Sequence, residues 1–212
     1  MSYSRLTLKQ ELLSTIKNTA VNLGINPEYP INDQMISSGV ISQISDLTEK
    51  LEKLNPFPKP LQFTANLLDG NWQLHYSTAR EIRFLNKLPF GFKVKQVYQL
   101  IDVVSASFFN LAFVEHESKL LEGYVKVTAS FTAKIEEGEI LPDSIINVNF
   151  EKRFIAIQKI AGLETPFFDP LQQFDARNPQ GRIPSLKITY IDENMRIGRG
   201  GDGSLFILSK SN

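Results

Sequence analysis

Cysteine is absent from the 212 residues. Disulfides and thiolate chemistry are therefore excluded, and the chain can fold in a reducing compartment. No charge sign is in excess, since 23 Lys and Arg balance 23 Asp and Glu. A nucleic-acid partner selects a basic excess or stripe, and neither is present, so no nucleic acid is expected. No run approaches 18 uninterrupted apolar residues, and no transmembrane helix is expected. Residues Met1 to Lys9 lack the apolar core of a signal peptide and any long Arg/Ser-rich stretch. A targeting leader is expected to be absent or already removed. There are two histidines, His75 and His116, without HxH or HExxH spacing. Such a pair is a poor metal site, and both are expected at the surface. G-x-S-x-G and P-loop motifs are missing. The pairs Glu136-Glu137 and Asp192-Glu193 read as turn residues. Neither catalytic residue, cofactor nor metal is expected. What is abundant is Phe, 15 against one Trp, in a chain whose 42% apolar and 22% charged residues are ordinary for a globular domain.

Along the chain the hydrophobic period changes once. Leu6, Leu8, Leu12, Leu13, Ile16, Ala20 and Val21 recur at three and four, predicting a helix over 4–22 with a cap at Ser4 or Thr7 and a stop at Gly24. Ile41, Ile44, Leu47, Leu51 and Leu54 predict a second helix from about Asn32 to Leu54. Asn55-Pro-Phe-Pro-Lys-Pro60 then forms a stiff connector. The expected division is a helical hairpin and connector over 1–60 and a β domain over 61–212.

Beyond Pro60 the period is two. Strands are predicted at 71–77, 94–101, 108–114, 124–135, 146–150 (with 154–157 extending or following it), 186–190, 195–197 and 205–208. The fold class is therefore mainly β with N-terminal helices (α+β): an antiparallel barrel of about eight or nine strands behind a helical hairpin. Gly198, Gly200 and Gly203 satisfy G-x-G-x-x-G, but only nine residues follow and they begin with the strand-like Ser204-Leu-Phe-Ile-Leu208. No βαβ unit fits, so the glycines read as a turn rather than a phosphate cradle.

Alternation places Trp72, Leu74, Tyr76, Val125, Val127, Ala129 and Phe131 on inner faces, where they would line an apolar site; Ala129 and Ala133 would leave room. Two long connections, 79–93 and 158–184, hold Phe84, Phe90, Phe92, Phe167 and Phe168. They either finish the core or form a lid or membrane-facing loops, and Arg80, Arg83, Lys87, Lys93 and Lys95 suit interfacial docking.

Gly70-Asn-Trp72 resembles the G-x-W that opens lipocalin barrels, where an Arg from near the last strand stacks on the Trp; Arg196 or Arg199 is the candidate. The pairing of Gly70-Asn-Trp-Gln-Leu-His-Tyr-Ser77 with Arg196-Ile-Gly-Arg-Gly-Gly-Asp-Gly-Ser-Leu-Phe-Ile-Leu208 resembles the plastid-lipid-associated protein family, also called fibrillins or plastoglobulins. The resemblance spans about Leu68 to Leu208. It implies a non-catalytic, lipocalin-like barrel that binds an isoprenoid, carotenoid, quinone or lipid at thylakoid or lipid-globule membranes and protects photosystems under stress. It makes Gly70, Trp72, Asp192, Arg196, Arg199, Gly200 and Gly203 a fold signature, with Asp192 expected to pair Arg196 or Arg199. The source is expected to be a cyanobacterium, with the chain on the cytoplasmic side of its thylakoid membrane, or a mature plastid form. Alternatives are a lipid-surface or partner-binding protein without internal ligand, the helices holding the partner, and a barrel enzyme acting on a pigment. The last is disfavoured by the lack of Cys and of a polar inner cluster.

Overall fold

A computed structural model describes residues 4–85, 88–176 and 182–211, so Lys87 and residues 177–181 lie outside the described residues. Helix α1 (Arg5–Asn22) starts where Ser4 accepts a bond from the Thr7 N–H. It buries Leu8, Leu12, Ile16 and Ala20, one turn apart, and leaves Leu6 and Val21 outside. The second helix starts later than its apolar pattern predicts. Ile31–Asn32 is a short strand, β1, parallel to β2 (Gly70–Ser77). Asn32 then caps a 3-10 turn, and Ser37 caps α2 (Ser38–Lys53). Each side chain accepts from an N–H of the first turn that follows it, Gln34 for Asn32 and Val40 for Ser37, so the extended Ile36 and Ser37 separate the 3-10 turn from α2. Helix α3 (Pro60–Phe63) and a 3-10 turn at Ala65–Leu68 lead into β2.

After β2 come α4 (Arg80–Leu85), β3 (Phe92–Asp102), β4 (Ser107–His116), β5 (Leu121–Lys134) and β6 (Ile145–Ile160). Short β7 (Leu163–Glu164) and β8 (Gln172–Asp175) both pair with β6. The chain finishes through β9 (Ser185–Ile191), β10 (Met195–Gly200) and β11 (Leu205–Lys210). Strand order β2-β11-β10-β9-β6-β5-β4-β3 is closed by pairing of β2 with β3, which makes an eight-stranded antiparallel barrel. Closure leaves no open edge among the eight at that level.

The barrel is uneven along its axis. β2 meets β3 only at Gly70–Gln73, and β9 meets β6 only at Ile145–Asn147. Beyond those rungs β3, β4, β5 and β6 continue as a four-stranded extension, with β7 and β8 on the free edge of β6. One end is thus a closed ring and the other an open trough.

The helices are not a loose appendage. Leu8, Leu12, Ile16, Ile44, Leu47 and Leu51 form one core with Tyr76, Tyr190, Met195, Ile197, Leu205 and Ile207 on the outside of β2, β9, β10 and β11. Two polar ties fix them. Lys9 meets the buried Asp192 at 2.6 Å. Arg199 holds Glu52 through two bonds of 2.8 and 2.9 Å, the fork matching both carboxylate oxygens.

Candidate functional site: the barrel interior and its open end

The closed end is built around Trp72. Its ring is fully buried and its Nε1–H donates to the Leu68 carbonyl at 2.8 Å. Arg196 lies over the ring with Cζ 5.1 Å from the centroid, and Lys210 Nζ lies 5.2 Å from it. The expected Arg–Trp stack is therefore formed by Arg196, while Arg199 points outward to Glu52. Alternation decides this: residues 196 and 198 face inward on β10, and register shifts between Ile197 and Gly198 do not bring Arg199 inside. Asp192 pairs with neither arginine. It accepts from Lys9, from the Tyr190 hydroxyl at 2.6 Å, and from the backbone N–H groups of Asn194 and Met195. Burial works against its charge, but those four donors outweigh burial and hold its carboxyl below the usual carboxylate range.

The glycine run is only partly a turn: Gly198 and Gly200 lie in β10, and the turn begins at Gly201. Gly203 has φ +85, the region glycine enters freely, and a Cβ on Gly200 would stand 2.3 Å from Ser204 Oγ. Asp202 ties the turn by accepting from the Ser204 N–H and hydroxyl. These signature residues shape the fold.

The seven inner-face residues divide. Trp72 and Leu74 face the interior and are buried. Tyr76 does not join them but packs under the helices. The cause is a bulge: Ile207 pairs with Tyr76 and Leu208 with Leu74, so His75 is extra and the faces exchange. His75 is buried as well, at 3% exposure, on the helix side of β2 rather than in the barrel, against the expectation of a surface residue. Burial, with help from the positive charge of Lys17, pulls its pKa down to about 4; its Nε2 bonds Ser209 Oγ at 2.7 Å. Ala129 and Phe131 pack with Phe108, Ile146, Val148 and Phe150. The room that Ala129 offers is filled by these neighbours, and Ala133 lies exposed on the far end of β5. A void of only about 20 Å³ remains among Leu68, Ile101, Phe108, Phe131, Ile188 and Arg196, enough for about one water. Val125 and Val127 stand elsewhere, half-buried on the inner face of the extension, Val125 beside Ala112 and Ile155 and Val127 beside Asn110 and Arg153.

Four of the five loop phenylalanines are outside, with Phe90 85% and Phe167 95% exposed and Phe84 and Phe168 less so. Phe92 is different: it begins β3 and meets the His116 ring edge-on at 5.4 Å. Neither long connection is a plain loop. The first holds α4, whose Ile82 packs on the Trp72 cluster. The second holds the end of β6, β7, a 3-10 turn at Pro166–Phe168 and β8. Sequence reasoning did not single out Leu120, Ile160 and Leu163, which are exposed at the ends of β5, β6 and β7, while Leu171 and Phe174 of the 158–184 connection are exposed as well. Leu171 and Phe174 stand in the same phenylalanine-rich stretch, the one signal that marked them. Among the described residues no group of His, Asp or Glu is placed to hold a metal, and no helix is long and apolar enough to cross a membrane.

A closed eight-stranded antiparallel barrel whose first strand buries a Trp under an Arg from a late strand defines a lipocalin-like protein. The chain belongs to the PAP_fibrillin family, whose model matches residues 7–209. It is 31% identical to a probable plastid-lipid-associated protein 3, chloroplastic, of Oryza sativa subsp. japonica, over 82% of this chain and 53% of that protein. It is 31% identical to the chromoplast-specific carotenoid-associated protein of Cucumis sativus, over 82% of this chain and 62% of that protein. It is 26% identical to plastoglobulin-1, chloroplastic, of Pisum sativum, over 96% of this chain and 60% of that protein. The chain thus spans between about half and two thirds of these relatives. No solved structure matches it.

Proposed function

We propose that this chain is a non-catalytic lipid-associated barrel. It docks at a thylakoid or lipid-globule surface of a plastid, or of a cyanobacterial thylakoid, by its open end. There it carries an isoprenoid, carotenoid, quinone or acyl chain along the inner face of the β3–β6 extension. The observation that carries this reading is the contrast between the two ends. At the closed end the space behind Trp72 is packed down to a void of about 20 Å³, with a wider pocket of about 230 Å³ opening outward beside Phe131 and Val148. The open end lacks that ring of pairing, leaves Val125 and Val127 half-buried, and exposes Phe84, Phe90, Leu163, Phe167, Leu171 and Phe174, a Phe-rich set beside the Phe63, Val104, Ile140 and Leu141 that the closed end exposes. Monomeric soluble surfaces rarely gather large apolar side chains in this density unless they meet a lipid, a ligand or a partner. The relatives' names, plastid-lipid-associated, carotenoid-associated and plastoglobulin, agree with this reading. A partner on the N-terminal helices draws less support, because their apolar faces are buried on the barrel.

Flotation with phosphatidylcholine vesicles tests docking. The protein is expected to float at low and high salt, and a variant with Phe90→Asp and Phe167→Asp is expected to stay at the bottom while folding normally. Equal flotation of both proteins, or none by either, would remove the open end as the docking surface. The alternative, lipid coating without a carried molecule, follows if the wild type floats while solvent extraction of protein from a pigmented host yields no stoichiometric isoprenoid by mass spectrometry.

A further inference from the structure

Inner-face register sets Gln99, Asn110 and Val127 side by side on β3, β4 and β5. Gln99 donates through Nε2 to Asn110 Oδ1 at 3.0 Å. Arg196 reaches across from β10 and donates through Nη2 to Gln99 Oε1. These three make one polar layer across the barrel, continued at the trough edge by the exposed Arg153 beside Val127. Val125 and Val127, on the trough side, run directly up to it. The small void lies against it, lined in part by Gln99 and Arg196.

Arg196 is 2% exposed and pairs with no carboxylate among the described residues. Its Nε is buried without an acceptor. Burial pulls the guanidinium down to about 9. Stacking on Trp72 and the bond from Nη2 to Gln99 leave the Nε–H without an acceptor. A buried cation lacking a counter-charge is expensive, and an apolar side chain would serve packing at less cost. An oxygen acceptor arriving at Nε would supply the missing bond.

We propose that this layer is the head-group end of the carried molecule's site: an apolar chain lying along Val125 and Val127 presents an oxygen acceptor, a carboxylate or a carbonyl, to Arg196. The proposal rests on the carrier reading above and adds the chemistry of the ligand's polar end. Gln99 and Asn110 act as positioning residues that hold the guanidinium across the barrel.

Equilibrium binding of hexadecanoic acid, a decyl-substituted benzoquinone and hexadecane to the full chain tests it. Trp72, the sole Trp of the chain, reports arrival beside Arg196 by its fluorescence. At least one headed probe is expected to bind roughly ten- to a hundredfold tighter than hexadecane, the range for a bond to a charged donor. Preference for the acid identifies a carboxylate, and preference for the quinone a carbonyl. Arg196→Met is expected to erase the preference, bringing the headed probes to the affinity of hexadecane for the same variant. Equal affinity for all three probes in the wild type overturns the head-group site while leaving the carrier reading standing, and it needs no variant to fold. A preference that survives Arg196→Met also overturns it. Failure of every probe to bind removes the carrier reading as well.

Discussion

Replacing Asp192 by Asn probes the tie between the helices and the barrel with little change in volume. In the folded chain this carboxylate, 2% exposed, accepts from Lys9 Nζ at 2.6 Å, Tyr190 Oη at 2.6 Å, and the N–H groups of Asn194 and Met195 at 2.9 and 2.8 Å. The amide oxygen of Asn can still accept from the two backbone groups, whereas its NH2 faces the Lys9 ammonium and the Tyr190 hydroxyl. Breaking a buried pair outright costs about 3–5 kcal/mol. Lys9 retains 14% exposure and can turn to water, so about 2–3 kcal/mol is expected here. For a domain of this size that lowers the Tm by about 4–12 °C. The assay is urea and thermal unfolding of Asp192→Asn, Lys9→Met and the double variant. The pair is expected to couple by about 1–2 kcal/mol. Because the folded carboxyl titrates below its unfolded value of about 3.9, its stabilisation is complete above that pH and is lost as pH falls through the folded pKa. Asp192→Asn should flatten that acid limb. A variant within about 0.5 kcal/mol of wild type, or zero coupling to Lys9, would refute the reasoning.

Burial gives His75 a folded pKa of about 4 against an unfolded value near 6.5, so unfolding takes up a proton between the two. Its contribution is whole above about pH 6.5 and is lost progressively toward pH 4, at most roughly 3 kcal/mol in all. An imidazole NMR titration with a midpoint near 6.5 would contradict its burial. Gly123→Ala places a Cβ 2.1 Å from the Ala156 carbonyl oxygen, a backbone atom that cannot swing aside. The expected loss is about 1–3 kcal/mol, read as a lowered urea midpoint, and an unchanged midpoint would show that β5 and β6 separate there freely.

How the site came to differ from its linear pattern is clearest at β2. Strict alternation over Trp72, Leu74 and Tyr76 gives three inner residues. One bulge at His75 sends Tyr76 to the helices and buries the histidine beside it on the same side. A bulge is an event between two strands, and its partner Ile207–Leu208 lies more than a hundred positions away in sequence. The same limit explains Phe92, which sits in a loop-like composition yet begins a strand because His116 and β4 pair with it.

By itself, the sequence determined the elements and their class. Period 3.6 before Pro60 and period 2 after it specify helices and then strands, because each pattern has one apolar face only in its own geometry. The motif ends, Gly70–Ser77 and Arg196–Leu208, determined the family and restricted the Trp72 stack to two arginines. Tertiary structure alone decided which arginine stacks, since that depends on strand face. It alone decided that Asp192 meets Lys9 and that the helices share the barrel's outer core. It also decided that only one end closes, because closure depends on how far β2 and β9 run beside β3 and β6, a matter of register that no single strand encodes.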